Sequence, residues 1–267
     1  MPRGFQRPVG VQPARSGKIG GKSRSLIAAA VVLGLVLAWK AVSAAVGKEI
    51  ILPSPERVLA EAAVIFPSPR FLSALWATFL RGIAAFGISA VLGTAAGLTA
   101  GARPVLGAAL APIMTVIRAT PVLALVLIAL LWFPSGFVPI FSAFLMAFPV
   151  MATSAAEGAR AADARLLEMS SLFRVPGREV FLRLRLPAAA PHLIAGSKNA
   201  LGLTWKVVVA GEILSQPTRA LGTGMQESRV LLESAGVFAW TIAAIALCGL
   251  TEWLLGLAAD KAASSGL

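Results

Sequence analysis

The chain has 267 residues, of which 57% are hydrophobic and 13% charged, and its mean hydropathy is +0.82. Soluble domains carry roughly 25% charged residues, so this composition excludes an ordinary soluble domain and places most of the chain in lipid. The net charge of +12 does not argue for nucleic acid in that setting, because Lys and Arg collect at the cytoplasmic ends of membrane spans.

Residues 2–25 are rich in Pro, Gly, Ser and Arg, which predicts a disordered basic arm over 1–25. The membrane domain follows, 26–267. Six apolar stretches in it are long enough to cross roughly 30 Å of hydrocarbon, at about 26–46, 72–100, 105–133, 137–158, 188–211 and 236–258. The third and fourth are parted only by Phe133-Pro134-Ser135-Gly136, a tight-turn composition. Continuous apolar runs exclude a barrel, whose strands would alternate. The predicted fold class is therefore all-α: a polytopic membrane helical bundle of six transmembrane helices. Val42-Ser43-Ala44 resembles a signal-peptide cleavage site, but the run is too long and carries Trp39-Lys40 ahead of it, so the segment is read as a retained span.

With the N-terminus inside, the cytoplasmic side holds six Lys and Arg in the arm, Arg103, six in the loop after span four, and Lys261. The outside holds only Lys48, Arg57, Arg70, Arg219 and Arg229. That bias predicts both termini in the cytoplasm. The second span carries Gly93, Gly97 and Gly101, the small-xxx-small spacing of close helix contact. A charge inside a span costs roughly 2.5–3.5 kcal/mol, so such charges are functional candidates by default. They are Lys40, Arg81, Arg118, Glu157, Lys198, Lys206 and Glu212. Lys40, Arg81 and Glu157 are near enough to span ends to snorkel. Arg118, beside the helix-breaking Pro121, and Lys206 and Glu212 in span five are the candidates for a translocation path. Buried structural pairing, such as Lys206 with Glu212, is the equal alternative.

The loop at 159–187 carries the most specific signal. Asp163 is a plausible N-cap for a short helix in which Leu166, Met169 and Phe173 share a face. Pro176-Gly177 breaks the chain. A second short helix then places Val180, Phe181 and Leu184 on one side, and Leu186-Pro187 ends it before span five. Gly21-Lys22-Ser23 lacks the earlier glycine of a phosphate-binding loop, since Ser16 stands there. Neither a Ser/His/Asp grouping nor paired carboxylates suggest an enzyme. The lone Cys248 and lone His192 offer no metal set.

Glu168-Met169-Ser170, Arg174, Leu184 and Leu186-Pro187 together resemble the cytoplasmic loop of ATP-binding-cassette (ABC) importer permeases. That pattern is Glu-Ala-Ala, three residues, Gly, nine residues, a bulky aliphatic, one residue, Leu-Pro. Here Met169 and Ser170 replace the alanines. Arg174 replaces the glycine, so the turn is expected at Gly177. Other patches resemble the nitrate/sulfonate/taurine group in the same order. They are Leu52-Pro53-Ser54-Pro55, Thr78 to Gly101, Arg118-Ala119-Thr120-Pro121, Leu131-Trp132-Phe133, Ala210-Gly211-Glu212-Ile213 and Leu221-Gly222.

The resemblance implies a type I ABC importer permease whose coupling helix, between helices four and five, docks on a separate ATPase subunit. It implies no cofactor on this chain, with ATP bound by that partner. It also implies an extracytoplasmic solute-binding protein and a small solute such as a sulfonate or nitrate. Six spans are too few to enclose a gated path, so a second permease copy, a homodimer, is expected. The alternative, an ion-coupled secondary carrier, would show inverted repeats with broken helices in both halves, and no such repeat is visible.

Overall fold

The protein is described by a computed structural model over residues 21–264, with side chains over 26–261. Regular structure among these residues is helical throughout. In order come α1 (Gly21–Val46), α2 (Pro55–Ile65), α3 (Pro69–Ala102), α4 (Pro104–Ala119), α5 (Val122–Trp132) and α6 (Val138–Arg160). Then follow α7 (Ala164–Leu172), α8 (Gly177–Val180), a π-helical turn (Phe181–Arg185), α9 (Leu186–Ser215), α10 (Leu221–Val230) and α11 (Ser234–Ser264).

α1 belongs to a unit of its own, and the chain from Lys48 onward forms a second unit. α1 opens at Gly21, ahead of the expected start at 26, so Gly21-Lys22-Ser23 lies in its first turn. The rest of the predicted arm lies outside the described residues. By length and composition four helices can cross a membrane: Leu26–Val46, Pro69–Ala102, Val138–Arg160 and Ser234–Lys261. α4 and α5 together make a fifth candidate, broken by a bend of 97°. The expected single span over 105–133 is thus not straight. Pro121 forces the residue before it out of the helical region, and Thr120 is extended, with φ −74° and ψ 126°. α9 has 30 residues, about 45 Å of helix, but Lys198, Lys206 and Glu212 interrupt its apolar run.

In the second unit, α6 packs against both α3 and α9. Small residues set the spacing. A Cβ added at Gly93 would lie 2.6 Å from Met151 Cβ, and one at Gly101 would lie 2.7 Å from Ala159 Cβ. Gly97 between them rests on the Ala152 backbone. Across the other face, Gly158 meets Ala189 and Gly211 meets Pro139. Without a hydrophobic drive inside lipid, such close backbone approach is what holds helices together. A larger core joins α3, α9, α10 and α11 around Phe71, Trp205, Leu221, Met225 and Trp240.

Two short helices were not foreseen from hydropathy. α2 starts at Ser54, whose hydroxyl accepts the Arg57 N–H at 3.3 Å, with Pro55 in the first turn. α2 buries Val58 and Ala62 and packs on α11. α10 fills part of the stretch between the fifth and sixth apolar runs.

The segment between α6 and α9 corrects two expectations. Asp163 caps α7 as expected, accepting the Arg165 N–H at 2.9 Å. The turn that closes α7, however, falls at Arg174 rather than at Gly177. Arg174 takes the left-handed conformation (φ 49°), with Val175 N–H donating to Ser170 O at 2.9 Å and Arg174 N–H to Ser171 O at 3.1 Å. These are the paired bonds of a Schellman C-cap. They hold a residue with a side chain in a region that costs it about 1–2 kcal/mol. Gly177 instead opens α8. Nor does Leu186-Pro187 end a helix. The chain stays helical from α8 into α9, with Leu186 N–H donating to Phe181 O. Pro187, which has no N–H to donate back along that helix, follows directly on the wider π-helical turn at the start of α9.

Candidate functional site

Three places gather the polar and charged residues of the second unit: a buried carboxylate at the end of α9, a guanidinium at the bend after α4, and the amphipathic loop.

Glu212 lies near the C-terminus of α9 with 0% exposure. Its Oε1 accepts from Arg81 Nη1 at 2.8 Å. The Thr78 hydroxyl donates to the carboxylate, 2.9 Å from Oε1 and 3.0 Å from Oε2, and itself accepts the Leu221 N–H at 3.0 Å. Gly222 N–H donates to Oε2 at 3.2 Å, an approach open only because glycine has no Cβ to meet Glu212 Cβ. Arg81 also donates to Arg219 O at 2.8 Å. One carboxylate thus ties α3, α9 and α10 and the turn between α9 and α10. The expected Lys206 partner does not join it. Six residues of helix turn through about 600°, which leaves the two side chains roughly 120° apart.

Lys206 is exposed along a groove of about 520 Å³ between α9 and α11, shared with Trp205, Met225, Thr241, Cys248 and Glu252. The Cys248 thiol lies 3.5 Å from Glu252 Oε1. Lys198 and Glu157 are exposed. His192 packs beside Gly158 with its Nδ1 buried and without a hydrogen bond. Among the described residues no three of His, Cys, Asp and Glu come together.

Arg118 sits in the last turn of α4, directly before the bend. Its Nη2 donates to Pro149 O at 3.0 Å and to the Thr153 hydroxyl, both on α6. It lines a cavity of about 270 Å³ with Gly97, Met114, Thr115, Thr153 and Arg160. No carboxylate lines this space, so two positive charges face it uncompensated. Thr153 carried no sequence signal of its own. Nor did the Arg81–Glu212 pair: Arg81 was expected to snorkel and Glu212 to meet Lys206, and only the packing of α3 on α9 brings the two charges together.

In the loop, Leu166, Met169, Phe173, Val180 and Leu184 line a groove of about 360 Å³, which brings together the apolar faces expected of the two short helices. Phe181 departs from that set. It turns inward with Leu186 and Leu193 onto Leu98, Ala155, Ala159 and Ala189. Glu168, Arg174, Gly177 and Pro187 are exposed. Ser170 and Ser171 return their hydroxyls to the Leu167 and Glu168 carbonyls at 2.7 Å, and Glu168, Met169 and Leu172 are exposed on α7.

Several apolar helices, small-residue helix contacts and buried charge pairing define a multi-pass membrane protein built as a helical bundle. Residues 89–263 match the family described as binding-protein-dependent transport system inner membrane component. The chain belongs to this family, as a permease subunit of an ABC importer that works with an ATP-binding subunit and a solute-binding protein. It is 27% identical over 232 residues to the taurine transport system permease protein of Escherichia coli, covering 84% of this chain and 82% of that one. It is 28% identical over 193 residues to the nitrate import permease protein of Synechocystis, covering 67% and 68%. It is 27% identical over 235 residues to the bicarbonate transport system permease protein of Synechococcus elongatus, covering 82% and 81%. The ion-coupled carrier alternative is not favoured.

Proposed function

We propose that two copies of this chain enclose the path of an importer for a small anion, such as a sulfonate or nitrate. The observation that carries this reading is Arg118, held on α6 by Pro149 O and Thr153 beside Arg160 in a cavity without a carboxylate. Uncompensated guanidinium groups lower the barrier for an anion in a low-dielectric setting. Lys206 is a further positive group, on α9, in the separate groove that it shares with Glu252. Glu212, neutralised inside the bundle, holds the outer end of α9 rather than contacting the solute.

In this reading α1, α3, the broken pair α4–α5, α6, α9 and α11 are six spans, with both termini in the cytoplasm as the Lys and Arg count requires. α4 buries none of its residues within the chain, and the second copy covers part of that face. The chain itself hydrolyses nothing and holds no cofactor. ATP belongs to the partner subunit. α7, with exposed Glu168, Met169 and Leu172, is the coupling helix, and the continuous helix from α8 through α9 passes its displacement into the membrane.

The test is reconstitution with the ATPase and binding protein, and cysteine labelling at positions 118 and 206 in a background lacking Cys248. ATP-dependent labelling at position 118 by an anionic, membrane-impermeant reagent is expected. Transport with both positions unreactive in every state overturns the path. For coupling, Glu168→Lys should leave membrane insertion intact and abolish ATPase co-purification or solute-stimulated hydrolysis. Full uptake by that variant removes α7 from the interface.

A further inference from the structure

A second basic cavity, of about 620 Å³, opens where α3 ends and the α7–α8 segment passes beneath it. Arg103 stands at the α3–α4 junction, Arg178 in α8 and Arg185 in the π-helical turn, and all three line it. No carboxylate does. Among the described residues neither Arg103 nor Arg178 has an ion-pair partner, and the nearest acid of α8, Glu179, is taken by Arg183 at 2.6 Å. Arg185 reaches only the Gly101 carbonyl, at 3.5 Å.

Arginines that collect at span ends are expected to snorkel apart into water. Here one arginine at the α3–α4 junction and two on the continuous helix from α8 into α9 converge on one space without a counter-charge, which calls for an anion that accepts several N–H bonds. A phosphate does so, and basic pockets between membrane helices at the interface suit phospholipid headgroups. The place is right for one. The apolar span of α3 ends at Ala102, exposed Val105 and Leu106 begin α4, and Val175, Val180 and Phe181 supply an apolar wall.

We infer that this cavity binds a phosphate-bearing anion, met in the membrane as the headgroup of an acidic phospholipid. Bound there, it bridges the α3–α4 junction to α8 and ties the loop to the membrane body. The inference rests on neither the transport path nor the role of α7.

The experiment is lipid titration of the purified full-length permease in neutral detergent, read by native mass spectrometry and thermal melting. The probes are phosphatidylglycerol, phosphatidylcholine and inorganic phosphate. Phosphatidylglycerol should bind saturably and raise the melting temperature where phosphatidylcholine does not. Arg103→Gln and Arg178→Gln, both at exposed side chains, should each weaken it about tenfold, the loss of one charge-assisted contact. Arg178→Lys keeps the charge and should retain most binding. Displacement of the lipid by inorganic phosphate, or phosphate binding alone, identifies free phosphate as a second source for the same site. Equal binding of the two lipids, or wild-type affinity in both Gln variants, overturns the site. So does loss of lipid binding when the ATPase subunit is added, since the arginines would then serve a protein interface.

Discussion

Arg81 and Arg118 are both arginines within apolar helices, and the fold treats them in opposite ways. Arg81, with 14% of its side chain exposed, meets the fully buried Glu212 at 2.8 Å, and every oxygen of that carboxylate is bonded to α3 or α10. Arg118 has only a carbonyl and a hydroxyl of α6, which orient its charge without neutralising it. Elements that must not move use a paired charge, because an unpaired one is unaffordable in the bundle. The element at the bend keeps its charge free, which is the condition for attracting an ion.

The comparison breaks first at the pair. Glu212→Ala leaves Arg81 without its counter-charge and should cost about 3–5 kcal/mol. Poor accumulation in the membrane and a large drop in melting temperature in detergent would register it. Arg81→Gln with Glu212→Gln should lose much less than the two single changes added together. If Glu212→Ala melts like the wild type, the cluster is not what fixes α9.

Next in size is the α3–α6 seam. Gly97→Val pushes methyl groups into the Ala152 backbone, and overpacking of this kind costs about 1–3 kcal/mol. Thermal melting should show it, while Gly87→Ala on the same helix, with open space around it, should sit at or above wild type.

Arg118→Gln sharpens the contrast from the other side. Folding should change little, whereas uptake of an anionic solute should fall about tenfold or more, as expected for one lost charge-assisted contact. Transport assays in vesicles, with melting as the folding control, decide it. A variant that melts much lower but transports normally would make Arg118 a structural residue like Arg81.

The smallest effect lies in the loop. Arg174→Gly relieves a left-handed residue that carries a side chain and should stabilise the loop by about 1 kcal/mol. Slower proteolysis or hydrogen exchange at residues 170–178 would report it. Gly177→Ala, with nothing near its added methyl, should be close to neutral.

Much of this was legible in the sequence because it is local. Apolar runs located α3 and α6 to within three residues at each end, since the transfer of a span into lipid sums over its own side chains. The glycine spacing of α3 foretold its close helix contact, and Asp163 marked the start of α7. The turn of the loop was misplaced because glycine is only the cheapest residue for a left-handed cap. Where the two Schellman bonds form, the backbone keeps its shape and Arg174 bears the strain. The bend after α4 was half legible. Pro121 announced a break, but not an angle of 97°.

What the sequence by itself determined, then, is an all-helical membrane chain, the order of its apolar segments and the family its loop resembles. Which charge meets which was decided only by tertiary structure. Arg81 and Glu212 are 131 residues apart, and nothing in local pattern joins them. Lys206, six positions from Glu212 on the same helix, was the nearer candidate and was excluded by helical rotation alone. The same holds for Arg118, whose open charge depends on Thr153 and Pro149 coming to it from α6. Hydrophobic burial is a sum over neighbours in sequence and can be read along the chain. An ion pair depends on where two backbones cross, and only the packed helices fix that.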